Sequence, residues 1–310
     1  MLIRKFRTPT AALPFVLVSG LLSGCSSDGK AAPSASTSAT ASASAWVSAQ
    51  ASAEKSLGAV AQQFHARLGV YILDTGTGRS VTYQADSRFA FCSTYKALAT
   101  AVLLKRDTDA QLDQLIAYNS SDLVDYSPIT SQHVGTGMTL HDIMAAALQY
   151  SDNTAANLLL DQLGGPAGLQ AALRGLGDPA TNVDDNEPNV NTATPGAAND
   201  TTTPRAIGTD LREFVLGDAL PAGRRQMLTT WLLGNTTGGP YIRAGVPAGW
   251  TVGDKTGNGG YGTRNDIAVV WPLKGAPIVV ALLSDRGVAD ANSDDALLAD
   301  ATKAGLAALG

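Results

Sequence analysis

Ser93 stands three residues before Lys96 in the stretch Phe91-Cys92-Ser93-Thr94-Tyr95-Lys96. On a helix, positions i and i+3 share a face. A lysine so placed can take the serine's proton and make it a nucleophile. The spacing alone is a cheap signal, since Ser27–Lys30 and Ser52–Lys55 repeat it. Three further segments single out Ser93. Ser151-Asp152-Asn153 and Lys255-Thr256-Gly257 each occur once. Between them, Glu187-Pro188-Asn189-Val190-Asn191 lies in a polar loop rich in Asp, Asn, Gly and Pro. Taken singly, these are a turn, a strand end and a solvated loop acid. Taken together, they supply a nucleophile, a second hydroxyl, two ammonium groups and a carboxylate.

Other chemistries find less support. The three histidines, His65, His133 and His141, fall in no His-x-His or HExxH pattern. No metal site or cofactor is therefore expected. Ser93 has no Gly-x-Ser-x-Gly around it, so a histidine triad is unsupported. Cys92 reads as a small packing residue. Charged residues make up 16% of the chain, the net charge is −5, and the body has no Lys/Arg cluster. Those features argue against a nucleic-acid partner.

The elements that must position these groups are legible from periodicity. Leu57, Val60, Ala61, Phe64 and Leu68 follow helical spacing. Leu68–Asp74 and Ser80–Tyr83 read as a hairpin across Thr75-Gly76-Thr77-Gly78. The middle of the chain is helical. Thr139 is placed to cap a helix carrying Ile143, Met144, Ala147 and Leu148. A helix through Asn157–Leu163 should stop at Gly164-Gly165-Pro166, and Thr203-Pro204 should start another. Strands return at Trp250–Gly253, Ile267–Trp271 and Pro277–Leu283, with Lys274-Gly275 turning the last pair, and a final helix runs from about Ser293 to Leu309. Strands thus bracket a helical insertion. This predicts an α/β lobe built from both chain ends, plus an all-α lobe. The expected boundaries are 46–92 with 233–310 for the first and 93–232 for the second.

The first residues stand apart. Arg4, Lys5 and Arg7 precede an apolar run from Ala11 to Leu22, which reads as an export signal. Leu22-Ser23-Gly24-Cys25 resembles the bacterial lipobox, which implies cleavage after residue 24 and lipid on Cys25. Residues 26 to about 45 are nearly all Ser, Ala, Thr, Gly and Pro, the composition of a flexible tether. Cys92 would then have no internal disulfide partner.

With these motifs, the chain resembles class A serine β-lactamases from about Leu57 to the C-terminus. The resemblance rests on Ser93-Thr94-Tyr95-Lys96, Ser151-Asp152-Asn153 continuing to Asn157, and Asp254-Lys255-Thr256-Gly257. Glu187-Pro188, Pro195-Gly196 and Asp200-Thr201-Thr202-Thr203-Pro204 add to it. It implies a two-lobed fold in which helices from both chain ends flank a five-stranded antiparallel sheet. It also implies hydrolysis of the β-lactam amide through an acyl-serine, with Ser93 as nucleophile. Lys96 would activate Ser93, with the acylation base left open between Lys96 and Glu187. Ser151 would pass a proton to the ring nitrogen. Lys255, Thr256 and Arg264 would bind the substrate carboxylate. The N–H groups of Ser93 and Asn258 would form the oxyanion hole, with Gly257 beside it. Asn153 would bind the acylamide, and Tyr126 would line the cleft wall. Glu187, with Asn191 holding the water, would drive deacylation. The expected partners are a β-lactam and, through the lipid only, the outer face of the cytoplasmic membrane. A monomer is expected.

Penicillin-binding proteins share the first three motifs but lack the glutamate, so Glu187 favours a hydrolase over a DD-peptidase. A non-hydrolytic sensor or pseudoenzyme is the third reading. One departure bears on turnover. The position that usually carries an arginine paired to the aspartate at Asp200 is Asp185, and Asn182 to Asn186 has no positive charge. A like-charge contact and a more mobile loop are expected there. Two milder departures are Val190 in place of the common leucine, and Asn258 directly after Lys-Thr-Gly.

Overall fold

Three long strands of alternating apolar residues follow the helical middle of the chain, and one precedes it. In the computed structural model, which describes residues 35–310 apart from 193, they join one antiparallel sheet. Its strands are β1 (Arg67–Asp74), β2 (Ser80–Tyr83), β3 (Thr251–Asn258), β4 (Arg264–Trp271) and β5 (Ile278–Asp285), in the order β2-β1-β5-β4-β3. Tyr71 pairs with Ala281, Ala268 with Val280, and Thr256 with Asp266. β1, from one end of the chain, therefore lies beside β5 from the other, as the bracketing pattern predicts.

Side chains alternate across a strand, and here both faces are buried. Val70, Ile72, Ala268, Val270, Val280 and Leu282 pack on one side, with Leu57 of α1 (Ala35–Gln63), Phe64 just after it, and Leu298 of the C-terminal helix (Ala296–Leu306). Tyr71, Ile267, Val269, Ala281 and Leu283 face the other way, into a core shared with the central helices. Those helices are α2 (Tyr95–Arg106), α3 (Leu140–Gln149), α4 (Asn153–Leu163), α5 (Pro166–Leu176), α6 (Pro204–Val215) and α7 (Ala222–Leu233). Numbered in sequence, the C-terminal helix is α8.

Local chemistry sets the helix starts. Thr139 accepts from the Asp142 N–H, and Thr203 from Ala206 with Pro204 at the first helical position. Each cap is worth about 1 kcal/mol. Gly164 and Gly177 end α4 and α5 in the left-handed conformation.

Two boundaries differ from the sequence reading. Helix α1 begins at Ala35, inside the segment read as a flexible tether, and the compact unit runs from Ala43. Alanine is the strongest helix former, and no Pro or Gly interrupts 35–57. β3 continues five residues past Gly253, to Asn258, so Lys255-Thr256-Gly257 lies within the C-terminal half of the strand. Cys25 and its export signal lie outside the described residues.

Candidate active site

Ser93 sits in a single 3-10 turn, Cys92–Thr94, that runs into α2 and places Lys96 in its first helical turn. Several contacts hold the turn. Thr94 Oγ1 donates to the Phe91 carbonyl (2.7 Å), while Asn265 Nδ2 donates to the Ala90 (2.7 Å) and Phe91 (3.1 Å) carbonyls. β3 runs directly against it. A Cβ on Gly257 would meet the Phe91 carbonyl oxygen at 2.7 Å, so only glycine lets the strand lie this close. Asn258 is thereby brought beside Ser93. Cys92 is fully buried and its φ is 47°. Burial drives its thiol pKa far up, which removes the thiolate a reactive cysteine needs.

Asp152 makes the second serine available. Its carboxylate caps α4 at Ala155 N–H (2.8 Å) and accepts from Thr130 Oγ1 (2.8 Å) and from the Ile129 and Thr130 N–H groups (2.9 Å each). Ser151, just before it, adopts φ 59°. Its Oγ accepts from Lys255 Nζ at 2.9 Å, and that nitrogen also donates to the Thr256 carbonyl (2.8 Å). Burial, and then the Lys96 charge, push the Lys255 pKa down to about 7.

Glu187 is the hub. It is 4% exposed. Its Oε1 lies 3.0 Å from Lys96 Nζ and 3.4 Å from Ser93 Oγ, and its Oε2 accepts from Asn191 Nδ2. Its backbone is gripped by Asn157, whose Oδ1 accepts from the Glu187 N–H (2.8 Å) and whose Nδ2 donates to the Glu187 carbonyl (3.0 Å). The sequence reading quoted Asn157 as motif but gave it no role. The only signal for one was its place one helical turn after Asn153.

Lys96 is committed elsewhere than to Ser93. Its Nζ donates to the Ser151 carbonyl (2.8 Å) and Asn153 Oδ1 (2.6 Å) and pairs with Glu187. Three acceptors match the three protons of an ammonium. Burial pushes the Lys96 pKa down, and Glu187 opposes that shift. Asn153 is likewise engaged at both ends, since its Nδ2 donates to the Asp125 carbonyl (2.9 Å). Its carboxamide is thus held between Lys96 and the Asp125 carbonyl, at the wall of the cavity over Ser93.

A cavity of about 230 Å³ opens over Ser93, lined also by Tyr126, Ser151, Asn153, Asn191, Thr237, Thr256 and Asn258. Thr237, absent from the sequence reading, shares a 2.6 Å hydrogen bond with Thr256. Lys96, Glu187 and Lys255 lie buried beneath this surface. Arg264 does not line the cavity. Its Nε donates to Asp295 (2.9 Å) and its Nη1 to the Thr263 carbonyl (3.2 Å).

At the loop neck, Asp184 and Asp185 do raise the Asp200 pKa by like charge, with burial the larger cause. The neck is nevertheless closed. Asp200 Oδ1 accepts from the Asp184 (3.0 Å) and Asp185 (3.1 Å) N–H groups, and Asp184 Oδ2 accepts in return from the Asp200 N–H (3.3 Å). Backbone donors stand where the family's arginine would be.

Residues 52–309 match the model of the β-lactamase enzyme family. The chain belongs to that family. A β-lactamase of Amycolatopsis lactamdurans is 55% identical over 257 residues, covering 83% of this chain and 85% of that one. A β-lactamase of Bacillus licheniformis is 53% identical, covering 80% and 81%. Among solved structures, a class A β-lactamase from Clostridium kluyveri superposes with a TM-score of 0.81 at 45% identity, covering 83% of this chain and 98% of that one. The likeness to class A β-lactamases thus takes in the whole two-lobed fold.

Proposed function

We propose that this β-lactamase opens penicillins and cephalosporins by acylating Ser93 and freeing it again with water. The carboxylate of Glu187, held against both Ser93 and Lys96, is the observation that carries the reading. Ser93 Oγ attacks the lactam carbonyl carbon as its proton passes to Glu187. The three acceptors around Lys96 favour an ammonium at rest, which makes Glu187 the better base. The oxyanion is met by the Ser93 and Asn258 N–H groups. The C–N bond breaks, and Ser151, held by Lys255, gives its proton to the ring nitrogen. The proton taken up by Glu187 is relayed back to Ser151, which restores the carboxylate. A water then loses a proton to Glu187 and attacks the ester carbonyl, and that proton passes on to Ser93 Oγ as the C–O bond breaks, releasing Ser93 and a ring-opened acid. Asn191 Oδ1 is buried without a partner and offers that water an acceptor. The segments 46–92 with 233–310, and 93–232, form the two walls of the cleft.

No helix among the described residues is long and apolar enough to cross a membrane. The lipobox-like sequence supports export and anchoring through Cys25. Loss of labelled palmitate from the Cys25→Ala protein is the expected result.

Turnover of a chromogenic cephalosporin, followed with protein mass, tests the reaction. Steady turnover is expected, and Glu187→Gln should lose about 10²- to 10⁴-fold in rate while accumulating an adduct on Ser93. A single burst with a lasting adduct on the unaltered protein would indicate a DD-peptidase or sensor. No reaction at all would indicate a pseudoenzyme.

A further inference from the structure

Asn258 lines the cavity next to Thr237 and Thr256, but it does not hold its side chain there by itself. Its Oδ1 accepts a hydrogen bond from the Tyr241 hydroxyl at 3.2 Å. Tyr241 is 5% exposed and stands immediately before a one-turn helix, Ile242–Gly245. The framework fixes that turn. The Ile242 N–H donates to Asp266 Oδ2 (3.1 Å), and Arg243 Nε donates to Asp254 Oδ1 (2.6 Å). Asp254 in turn is the residue before Lys255.

The direction of the Tyr241–Asn258 bond follows from burial. Among the described residues the Tyr241 hydroxyl has no other partner, and turning the Asn258 carboxamide over would leave a buried O–H proton without an acceptor. Burial also keeps the phenol protonated by raising its pKa. With Oδ1 held toward Tyr241, Nδ2 is the end left over. It donates to no residue among the described ones. Close by, Arg264 spends its Nε on Asp295. The guanidinium of Arg264, the residue paired with Asn258 across β3 and β4, is therefore committed outside the cavity, whereas Asn258 offers the cavity an uncommitted, oriented amide donor.

We propose that Tyr241 is a positioning residue that fixes Asn258 Nδ2 as a hydrogen-bond donor to the carboxylate beside the β-lactam ring. The inference rests on the β-lactamase reading above. It adds a neutral, directional contact to the charge supplied by Lys255. Removing the Tyr241 hydroxyl lets the carboxamide turn, so a donor and an acceptor compete for the same place. A contact of this kind acts in binding, so KM moves and kcat does not.

The test uses the purified protein, a chromogenic cephalosporin acid and its methyl ester. Turnover by the unaltered protein comes first, so failure of the β-lactamase reading is seen separately. For Tyr241→Phe, KM for the acid should rise about 5- to 10-fold, with kcat within about twofold. Asn258→Ala should raise KM for the acid by a similar factor, and the double variant should show the acid KM of Asn258→Ala alone. The ratio of acid to ester KM should rise toward equality in all three. Additive losses in the double variant, equal losses on acid and ester, or an unchanged KM in Tyr241→Phe would each overturn the proposal. Should Tyr241→Phe fold poorly, the acid-to-ester comparison in Asn258→Ala decides. A loss confined to the acid supports the donor role, and an equal loss on both refutes it.

Discussion

Replacing Asp210 by asparagine probes a proton that the fold holds and the reaction does not use. Asp210 lies on α6, 5% exposed, and its Oδ2 has no hydrogen-bond donor. Burial first, then the charge of Asp178, push its pKa up to about 8, with Glu213 adding to the rise and Arg174 opposing it. Asp178 caps the Ala180 (2.6 Å) and Thr181 (3.1 Å) N–H groups, at the start of the segment leading to Glu187. A protonated Asp210 can donate to Asp178, whereas an ionised one faces a second carboxylate. The unfolded chain titrates at 3.8. The folded state therefore takes up a proton between 3.8 and about 8. The resulting stabilisation is fully present below 3.8 and is lost as pH rises through the folded value. Each pH unit in that window removes at most about 1.4 kcal/mol, so the span from about pH 5 to pH 8 removes at most about 4 kcal/mol. Water entry and relaxation around an ionised Asp210 recover part of this, and about 2 kcal/mol is a fair expectation. Asp210→Asn keeps a donor toward Asp178 and has nothing to titrate. Melting curves of both proteins at pH 5, 6, 7 and 8 should show the variant's Tm advantage widening by about 4–8 °C across the range. All other titrating groups are common to both proteins and cancel in the difference. A gap that stays constant with pH, or that reverses toward pH 8, would refute the reasoning.

Further outcomes follow from the site. Asn157→Ala releases both backbone groups of Glu187 and should cost about 1–3 kcal/mol; stopped-flow burst kinetics should show deacylation slowed more than acylation. Asp185→Arg places a cation beside Asp200, whose pKa is raised; single-turnover rates should shift in deacylation, and no change in either step would remove the neck from any role in turnover. Lys255, with a pKa of about 7, loses charge as pH rises through that value; KM for an acid substrate should climb above pH 7 while KM for its methyl ester stays flat. Asp295→Ala frees Arg264 from its carboxylate partner; initial-rate measurements should give a several-fold lower KM for the acid.

The strands and helices were legible because amphipathic period and capping chemistry are local. Thr139, Thr203-Pro204 and Gly164 mark boundaries within a few residues of themselves. The tether was misread toward its C-terminal end because Ser/Ala composition serves a coil and a helix equally, and only alanine's propensity separates them. Asp185 illustrates the opposite limit. Its charge was plain in the sequence, but the bond its N–H makes to Asp200 was not, because backbone donors are the same in every residue.

The sequence by itself determined the reacting types and their order: Ser93 with Lys96, Ser151, Glu187 with Asn191, and Lys255. Those assignments rest on short motifs and on the resemblance to class A β-lactamases that the motifs carry. Tertiary structure alone decided what each one touches. Lys96 meets residues 55 and 57 positions away, Ser93 meets Glu187 94 positions away, and Lys255 meets Ser151 across 104. Whether Lys96 is occupied, whether Asn153 faces substrate, whether Arg264 is shared and whether Tyr241 steers Asn258 depend on such pairs. Contacts between segments so far apart depend on how sheet and helices pack, and no local spacing encodes that.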